Sequence, residues 1–143
     1  MIRFNEYADA YQAVGDRHNA LQDTCISSAS SIGRLLAVVR YTDYQDNWSI
    51  SMHINSFDPK WATRDFLWAI FDYPFNQLHC EKVFGFTPES NNAALKLAMR
   101  LGFTLIAKVP GVYPNDDPLI ISRLEKQECK WLNWQPRSIR SNQ

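Results

Sequence analysis

The chain has 143 residues, with 15 basic and 15 acidic side chains, a formal net charge of zero, 45% hydrophobic residues and 13% aromatic residues. A chain of this length and apolar content can bury roughly two thirds of the surface that it exposes when unfolded, which excludes the intrinsically disordered class. The balanced charge argues against nucleic-acid binding, because no excess of basic side chains is present to neutralise phosphates.

Export and membrane insertion are not expected from this sequence. The purely apolar runs, such as residues 35–39 and 66–71, are far shorter than the roughly 20 residues that cross a bilayer. Residues 1–9 carry acidic side chains where a secretory leader has basic and then apolar ones. Cys25, Cys80 and Cys129 are odd in number and far apart, which favours reduced thiols. We therefore expect a cytoplasmic protein with no leader and no membrane contact.

The first half of the chain predicts short helices followed by strands. Its segments are one or two helices within 4–23, interrupted at Gly15, an edge strand at 25–30, a strand at 33–41, a polar turn at 43–47 and a strand at 48–55. In the last segment, apolar residues alternate with Ser49, Ser51, His53 and Asn55. This period-two pattern is typical of a strand with one buried face.

The second half predicts helices alternating with strands. Pro59 stands where a helix can begin, and apolar residues follow at helical spacing as far as Pro74, which should kink or end that helix. Ser90 or Asn91 can cap a second helix, and Gly102 can end it in the left-handed conformation. The remaining segments are strands at 82–87, 103–107 and 119–122, a short helix at 125–132 and a polar tail at 133–143.

This order of elements is typical of an α+β fold built on a mostly antiparallel central sheet. The sequence contains no internal repeat and no linker-like stretch. We therefore expect a single domain over residues 1–143.

Several segments resemble a known superfamily. Residues 88–103, PESNNAALKLAMRLGF, resemble the N-x-x-A helix ending in L-G-F of the GNAT acetyltransferases. Residues 61–64, followed by an aromatic helix, resemble the helix after that superfamily's pyrophosphate loop, and residues 80–87 are similar to the strand before its asparagine helix. The ending 128–132 is similar to that of small single-domain members from phage and prophage genomes. The resemblance implies a GNAT-like fold with helices on both faces of the sheet.

The resemblance also implies an activity. In GNAT enzymes acetyl-CoA lies between two splayed central strands, here 48–55 and 82–87, and an amine attacks the thioester directly. We therefore expect an N-acyltransferase that moves an acetyl group from acetyl-CoA to a primary amine on a small molecule or a protein. The alternative is a catalytically inactive GNAT-like protein with a binding or structural role, in a phage particle for example. A homodimer and a phage structural partner both stay open, and no motif identifies the acceptor.

The sequence departs from the GNAT pattern at two places. The superfamily's pyrophosphate loop is Q/R-x-x-G-x-G/A, yet residues 55–60 contain no glycine, and Pro59 lacks an amide donor. Lys60 and Arg64 can compensate as side-chain phosphate ligands. In the superfamily a tyrosine on the asparagine helix usually acts as the general acid. The corresponding residue here is Ala98, which cannot donate a proton.

The resemblance assigns roles to individual residues. His53 lies on the strand that would carry the reacting centre and is the expected general base, with a solvated strand histidine as the alternative. Asn91 is expected both to cap its helix and to bind the pantetheine arm. The full set of expected cofactor-binding residues is Ile54, Asn55, Lys60, Trp61, Ala62, Thr63, Arg64 and Asn91.

A metal site is not expected. His79, Cys80 and Glu81 are adjacent, and neighbouring residues on a strand point to opposite faces, so they cannot easily hold one ion. We expect acetyl-CoA as co-substrate and no metal.

Overall fold

One mixed sheet organises the described part of the protein, residues 1–136 of a computed structural model. Within that range the strands are β1 (Ile2–Phe4), β2 (Thr24–Ala29), β3 (Leu35–Gln45), β4 (Ser49–Ser56), β5 (Lys82–Pro88), β6 (Thr104–Val109) and β7 (Leu119–Glu125). Their order across the sheet is β1-β2-β3-β4-β5-β7-β6. Neighbouring strands are antiparallel except β4 and β5, which run parallel. The expected α+β class and mostly antiparallel sheet are confirmed.

Helices cover both faces of this sheet, as expected. The α-helices of the described residues are α1 (Tyr7–Val14), α2 (Arg64–Asp72) and α3 (Asn92–Leu101). Val39 of β3 belongs to the main core together with Phe66 and Ile70 of α2. The next residue back, Val38, packs instead with Ala10 of α1. Because successive side chains of a strand point to opposite faces, α1 and α2 lie on opposite sides of the sheet.

The N-terminal segment differs from the expectation. Residues 2–4 form a strand rather than the approach to a helix, and they pair with β2, with Ile2 opposite Ser28. β2 is therefore an interior strand, not an edge strand. Its Ser27 tolerates burial because it has a partner: the Ser27 hydroxyl donates to Asp9 Oδ2 at 2.6 Å.

Helix α2 begins later than Pro59 suggests. Asp58 Oδ1 accepts from the Lys60 amide at 2.8 Å and closes a turn around the proline. The helix then starts at Arg64, because the hydroxyl of Thr63 accepts from the Phe66 amide at 3.3 Å and caps it. Its end is as expected, since Pro74 lies in a single π-helical turn, Tyr73–Gln77, directly after Asp72.

Both predicted ends of α3 are confirmed. Asn91 Oδ1 accepts from the Ala94 amide at 3.2 Å, and Gly102 has a φ of 103°. That left-handed conformation is open to glycine at little cost. The helix expected at 125–132 is instead two 3-10 segments, Lys126–Glu128 and Lys130–Trp134. Residues 137–143 of the expected polar tail lie outside the described residues.

No helix in residues 1–136 is both long enough and apolar enough to span a bilayer.

Candidate functional site

The two central strands separate after three paired residues. β4 and β5 pair only where Ser49–Ser51 lies beside Lys82–Phe84. Beyond this point β4 stays paired with β3 as far as Ser56, and β5 stays paired with β7 as far as Pro88. The facing edges of the two strands are therefore left without a ladder partner. This is the splayed pair that the resemblance implies.

A cavity of about 340 Å³ occupies the gap between these strands. Met52, Ile54, Gly85 and Thr87 belong to its strand walls. A second set of lining residues comes from α3 and its cap and consists of Asn91, Ala94, Leu97, Ala98 and Leu101. A third set comes from β3, β4 and the end of α1 and consists of Val14, Arg17, Arg40 and His53. A volume of this order suits a small ligand or the reactive end of a larger one.

His53 belongs to a short hydrogen-bonded chain beside the cavity. Its Nε2 lies 2.9 Å from Oγ1 of Thr42, and that hydroxyl donates to Asp43 Oδ2 at 3.1 Å. A threonine hydroxyl has one proton, and a carboxylate only accepts, so the proton of Thr42 goes to Asp43. Nε2 of His53 must then carry the hydrogen that Thr42 accepts. This leaves Nδ1 as the unprotonated nitrogen.

The protonation state of His53 follows from its surroundings. Burial lowers the pKa of His53 below the ordinary 6.5, and the positive charge of Arg40 lowers it further. The carboxylates of Asp43 and Asp23 act in the opposite direction. The imidazole is therefore neutral at pH 7, which is the form that accepts a proton.

The structure brings four of the expected site residues together at the cavity. His53, Ile54 and Asn55 line it from β4, and Asn91 lines it from the cap of α3. The side-chain oxygen of Asn91 accepts a hydrogen bond from the Ala94 amide of α3. Its side-chain NH₂ is therefore the group that can donate to a ligand.

The other expected ligands lie around the start of α2 and do not line the cavity. Lys60, Ala62, Thr63 and Arg64 are exposed there, whereas Trp61 is only 7% exposed and packs edge-on against a core phenylalanine. The Arg64 guanidinium lies 5.8 Å from the ring centroid of Trp134 in the C-terminal segment.

The loop before α2 uses most of its own amides. The amide of Phe57 donates to Leu36 of β3, those of Lys60 and Trp61 donate to Asp58, and that of Thr63 donates to Trp61. The amides of Arg64 and Asp65, the first two residues of α2, have no partner within residues 1–136, as expected at a helix start. The loop amides of Asp58 and Ala62 likewise have no partner in this range, so these four donors are what the backbone offers to an anion here.

Some residues of the site were missed by sequence reasoning. Arg17 and Arg40 line the cavity, and Thr42 orients His53, yet none of them belongs to a local motif. Strand register is the signal that could have identified Arg40. When β3 and β4 are paired as a hairpin in the observed register, Arg40 lies opposite His53. Ala98 does line the cavity, and no tyrosine of the described chain joins it there, Tyr113 included.

Residues 1–136 contain no cluster of three or more histidine, cysteine, aspartate or glutamate side chains arranged to hold an ion. His79 and Cys80 lie in a loop before β5 rather than on the strand itself.

Comparison with known proteins identifies the fold. No family model and no curated protein matches the sequence. Among solved structures, a mutant of the spermidine N-acetyltransferase SpeG from Vibrio cholerae is similar, with a TM-score of 0.64 and 17% identity over 90% of this chain and 78% of that chain. SpeG in complex with CoA and spermine gives a TM-score of 0.62 at 14% identity, over 90% of this chain and 78% of that one. A GNAT-family acetyltransferase from Bacillus anthracis gives 0.58 at 11% identity, over 75% of this chain and 68% of that one. The protein has the GNAT fold.

Proposed function

We propose that this GNAT-fold protein is an N-acetyltransferase, which transfers the acetyl group of acetyl-CoA to a primary amine. The observation that carries the proposal is the gap between β4 and β5, with a neutral histidine of defined tautomer on its wall. The solved SpeG complex, which contains CoA and spermine, supports it as a structural neighbour.

The residues present fit the arm of acetyl-CoA. The facing edges of β4 and β5 carry backbone groups without ladder partners, and the amides of a pantetheine arm can pair with such groups. Asn91 offers its side-chain NH₂ at the same cavity. When bound, acetyl-CoA supplies an acyl group already activated as a thioester.

The phosphates of acetyl-CoA fit a second group of residues. The free amides of Arg64 and Asp65 point from the start of α2, where the helix dipole favours an anion. Lys60 and Arg64 add side-chain charge in place of the missing glycines. The Lys60 and Trp61 amides already donate to Asp58 and are not available to a phosphate. In the proposal the side chains of Lys60 and Arg64 therefore supply a larger share of the phosphate contacts.

His53 acts as the general base in this proposal. Nδ1 takes a proton from the ammonium group of the acceptor, and the freed amine attacks the acetyl carbonyl. The carbon–nitrogen bond forms, the carbon–sulfur bond breaks, and the proton that the acylated nitrogen must lose passes through water to the departing thiolate. The imidazolium is stabilised meanwhile by its bond to Thr42 and by the Asp43 carboxylate beyond it.

Direct attack by the amine agrees with the state of the cysteines. Cys25, Cys80 and Cys129 are buried, and burial raises the pKa of each thiol to about 11. Thiols with such a raised pKa are poor nucleophiles at neutral pH, so the proposed reaction does not use an acetyl-cysteine intermediate. Three free thiols also suit a reducing cytoplasm, where we place the reaction.

A thermal-shift titration with acetyl-CoA followed by turnover measurements tests the proposal. A ligand that binds only the native state at a hundred times its Kd stabilises it by about 2.7 kcal/mol, so the Tm should rise. Thiol release should then appear with at least one amine of a broad panel. Binding without turnover would support the inactive alternative, and no Tm change at millimolar acetyl-CoA would contradict the proposed co-substrate.

A further inference from the structure

The wall of the cavity nearest His53 is positively charged. Arg17, from the turn after α1, and Arg40, from β3, both line the cavity. No aspartate or glutamate of the described chain is among the lining residues. Two carboxylates outside the lining act on this wall: Asp43 acts on His53, and Asp23 acts on both His53 and Arg40. Neither forms an ion pair with Arg40 or His53 within residues 1–136.

Arg40 is also incompletely satisfied. Its Nε is buried and has no hydrogen-bond partner in the described part of the chain. A buried donor without a partner costs roughly 1 to 3 kcal/mol, and native structures rarely leave one unused without a reason. A guanidinium presents its donors in a planar fork that matches a carboxylate or a phosphate.

The position of Arg40 indicates which ligand would supply that anion. Arg40 is the register partner of His53 across β3 and β4, so both side chains lie on the same face of the sheet. His53 is two residues beyond Ser51, where the pairing of β4 with β5 ends. The arginine is therefore at the closed end of the gap, beside the proposed base, whereas the expected phosphate ligands Lys60 and Arg64 follow the far end of β4.

We infer that the acceptor amine of this protein carries an oxyanion, a carboxylate or a phosphate, and that Arg17 and Arg40 bind it while its amino group faces His53. This inference rests on the proposed acetyltransferase function. It distinguishes the protein from an enzyme for polyamines, because a polycation would meet two guanidinium groups with no lining carboxylate to offset them.

The bound anion also affects the base. The positive charge of Arg40 lowers the pKa of His53, and a bound carboxylate or phosphate between the two would offset that charge. His53 would become a stronger base when the correct acceptor is present.

Matched pairs of amines test the inference in the full-length protein with acetyl-CoA. The pairs are 4-aminobutyrate with n-butylamine, and glucosamine 6-phosphate with glucosamine, with spermidine added as a polycation. One charge-assisted contact is worth about 1.5 to 3 kcal/mol, so the anionic member should have a kcat/KM about ten- to a hundredfold higher. The pair that shows the larger preference identifies the oxyanion as carboxylate or phosphate.

Variants connect the preference to the two arginines. Arg17→Ala removes an exposed side chain, and Arg40→Met keeps an apolar stem of similar length at a half-buried position. Each should raise the KM of the anionic acceptor about tenfold or more and should not raise that of the partner amine that lacks the oxyanion. Arg100→Ala, an exposed arginine in the last turn of α3, is the control and should change neither. Urea unfolding confirms that each variant is folded.

A second measurement separates this inference from the proposed function. Calorimetric titration with N-acetyl-4-aminobutyrate, without acetyl-CoA, should show binding that Arg40→Met weakens. Turnover of n-butylamine or spermidine as good as that of the acids would overturn the inference and leave the acetyltransferase function standing. With no turnover at all, arginine-dependent binding of this acid would still support the anion site, and its absence would overturn it. Weaker acetyl-CoA binding in the arginine variants would overturn it as well, because the arginines would then contact the phosphates.

Discussion

Nε2 of His53 and Oγ1 of Thr42 lie 2.9 Å apart, and the onward bond from Thr42 to Asp43 decides which of the two carries the shared hydrogen. The arrangement is an imidazole, a hydroxyl and a carboxylate in series. For the proposed reaction it leaves Nδ1 as the accepting nitrogen, and it makes separate predictions for the imidazole and for the hydroxyl.

The first prediction concerns the base. General-base catalysis contributes typically 10²- to 10⁴-fold, so His53→Ala should lower turnover by about that factor. Acetyl-CoA binding should stay nearly unchanged, which a thermal-shift titration measures alongside turnover. The wild-type rate should rise with pH through the folded-state pKa of His53, which burial and Arg40 lower below 6.5, and the variant should lose that rise. Turnover that survives the substitution would mean that water or another group takes the proton.

The second prediction concerns the positioning residue. Thr42→Val keeps the shape of the side chain but removes the acceptor for Nε2–H, so both tautomers of His53 become accessible. We expect kcat to fall about tenfold, the equivalent of about 1.4 kcal/mol. Thr42→Ser restores the hydroxyl and should restore the rate and the pH profile. A valine variant with wild-type kinetics would show that the tautomer does not matter.

The third prediction concerns phosphate binding at the start of α2. Arg64→Ala should weaken acetyl-CoA binding by about 1.5 to 3 kcal/mol, about ten- to a hundredfold in Kd, because it removes a charged hydrogen-bond donor. Lys60→Ala should act in the same direction. Arg100→Ala changes the net charge equally at an exposed position on another helix and is the matched control. Unchanged affinity in a folded Arg64→Ala protein would leave the amides of α2 as the phosphate ligands.

The fourth prediction concerns the end of α3. A Cβ at Gly102 would lie 3.6 Å from Leu124 Cδ1, which is an ordinary contact, so the cost of a larger residue comes from the φ of 103°. Gly102→Val should lower the free energy of unfolding by about 1 to 3 kcal/mol. Gly102→Asn should cost less, because asparagine tolerates the left-handed region better. Equal costs in urea unfolding would assign the effect to packing instead.

The fifth prediction concerns acid stability. His18 is 3% exposed beside two tyrosine rings, and both of its ring nitrogens are buried without a partner in residues 1–136. Burial lowers the pKa of His18 below 6.5, and burial and Arg40 do the same for His53. Below about pH 6.5 the imidazoles of His18 and His53 therefore bind protons in the unfolded chain and stay neutral in the native state until the pH reaches their lower folded-state pKa values. Stability should fall as the pH drops from there towards the folded-state pKa values, and be unaffected by these groups at higher pH.

Urea unfolding between about pH 7.5 and pH 5 measures this slope. His18→Phe should reduce it, since the ring is kept and the titrating group is lost. His79→Asn is the control, because His79 is exposed and its positive φ of 58° suits asparagine. A slope unchanged by His18→Phe would show that other groups cause the acid sensitivity.

The parts of the fold that the sequence predicts are those fixed by nearby residues. Asn91 and Gly102 mark the ends of α3 because capping and the left-handed turn are local requirements. Alternation along 48–55 predicts β4 for the same reason. The start of α2 was misplaced, because Pro59 is compatible with a helix start but the Asp58 turn and the Thr63 hydroxyl move it to Arg64.

The parts that were missed depend on distant pairing. Arg40 lies opposite His53 because of the register of β3 with β4, and Arg17 lies in the turn after α1. Neither position is encoded by neighbouring residues. β1 is three residues long and is held by its pairing with β2, so its pattern is too short to see. Hydrophobic periodicity reports on one segment at a time, so it does not predict a cavity that separate segments line. The positive charge of the cavity wall likewise depends on the three-dimensional arrangement.

The parallel seam between β4 and β5 joins two otherwise antiparallel halves of the described sheet, β1 to β4 and β5 to β7. Its closed end is fastened by backbone bonds from Glu81 and Lys82 to the Trp48 carbonyl, and by the ion pair of Lys82 with Glu125 at 2.7 Å. The two halves are thus joined by backbone pairing at one end of the seam only, while one apolar core that includes Val39 and Leu124 packs against both. A ligand that occupies the open end therefore has no ladder bond to break in either half.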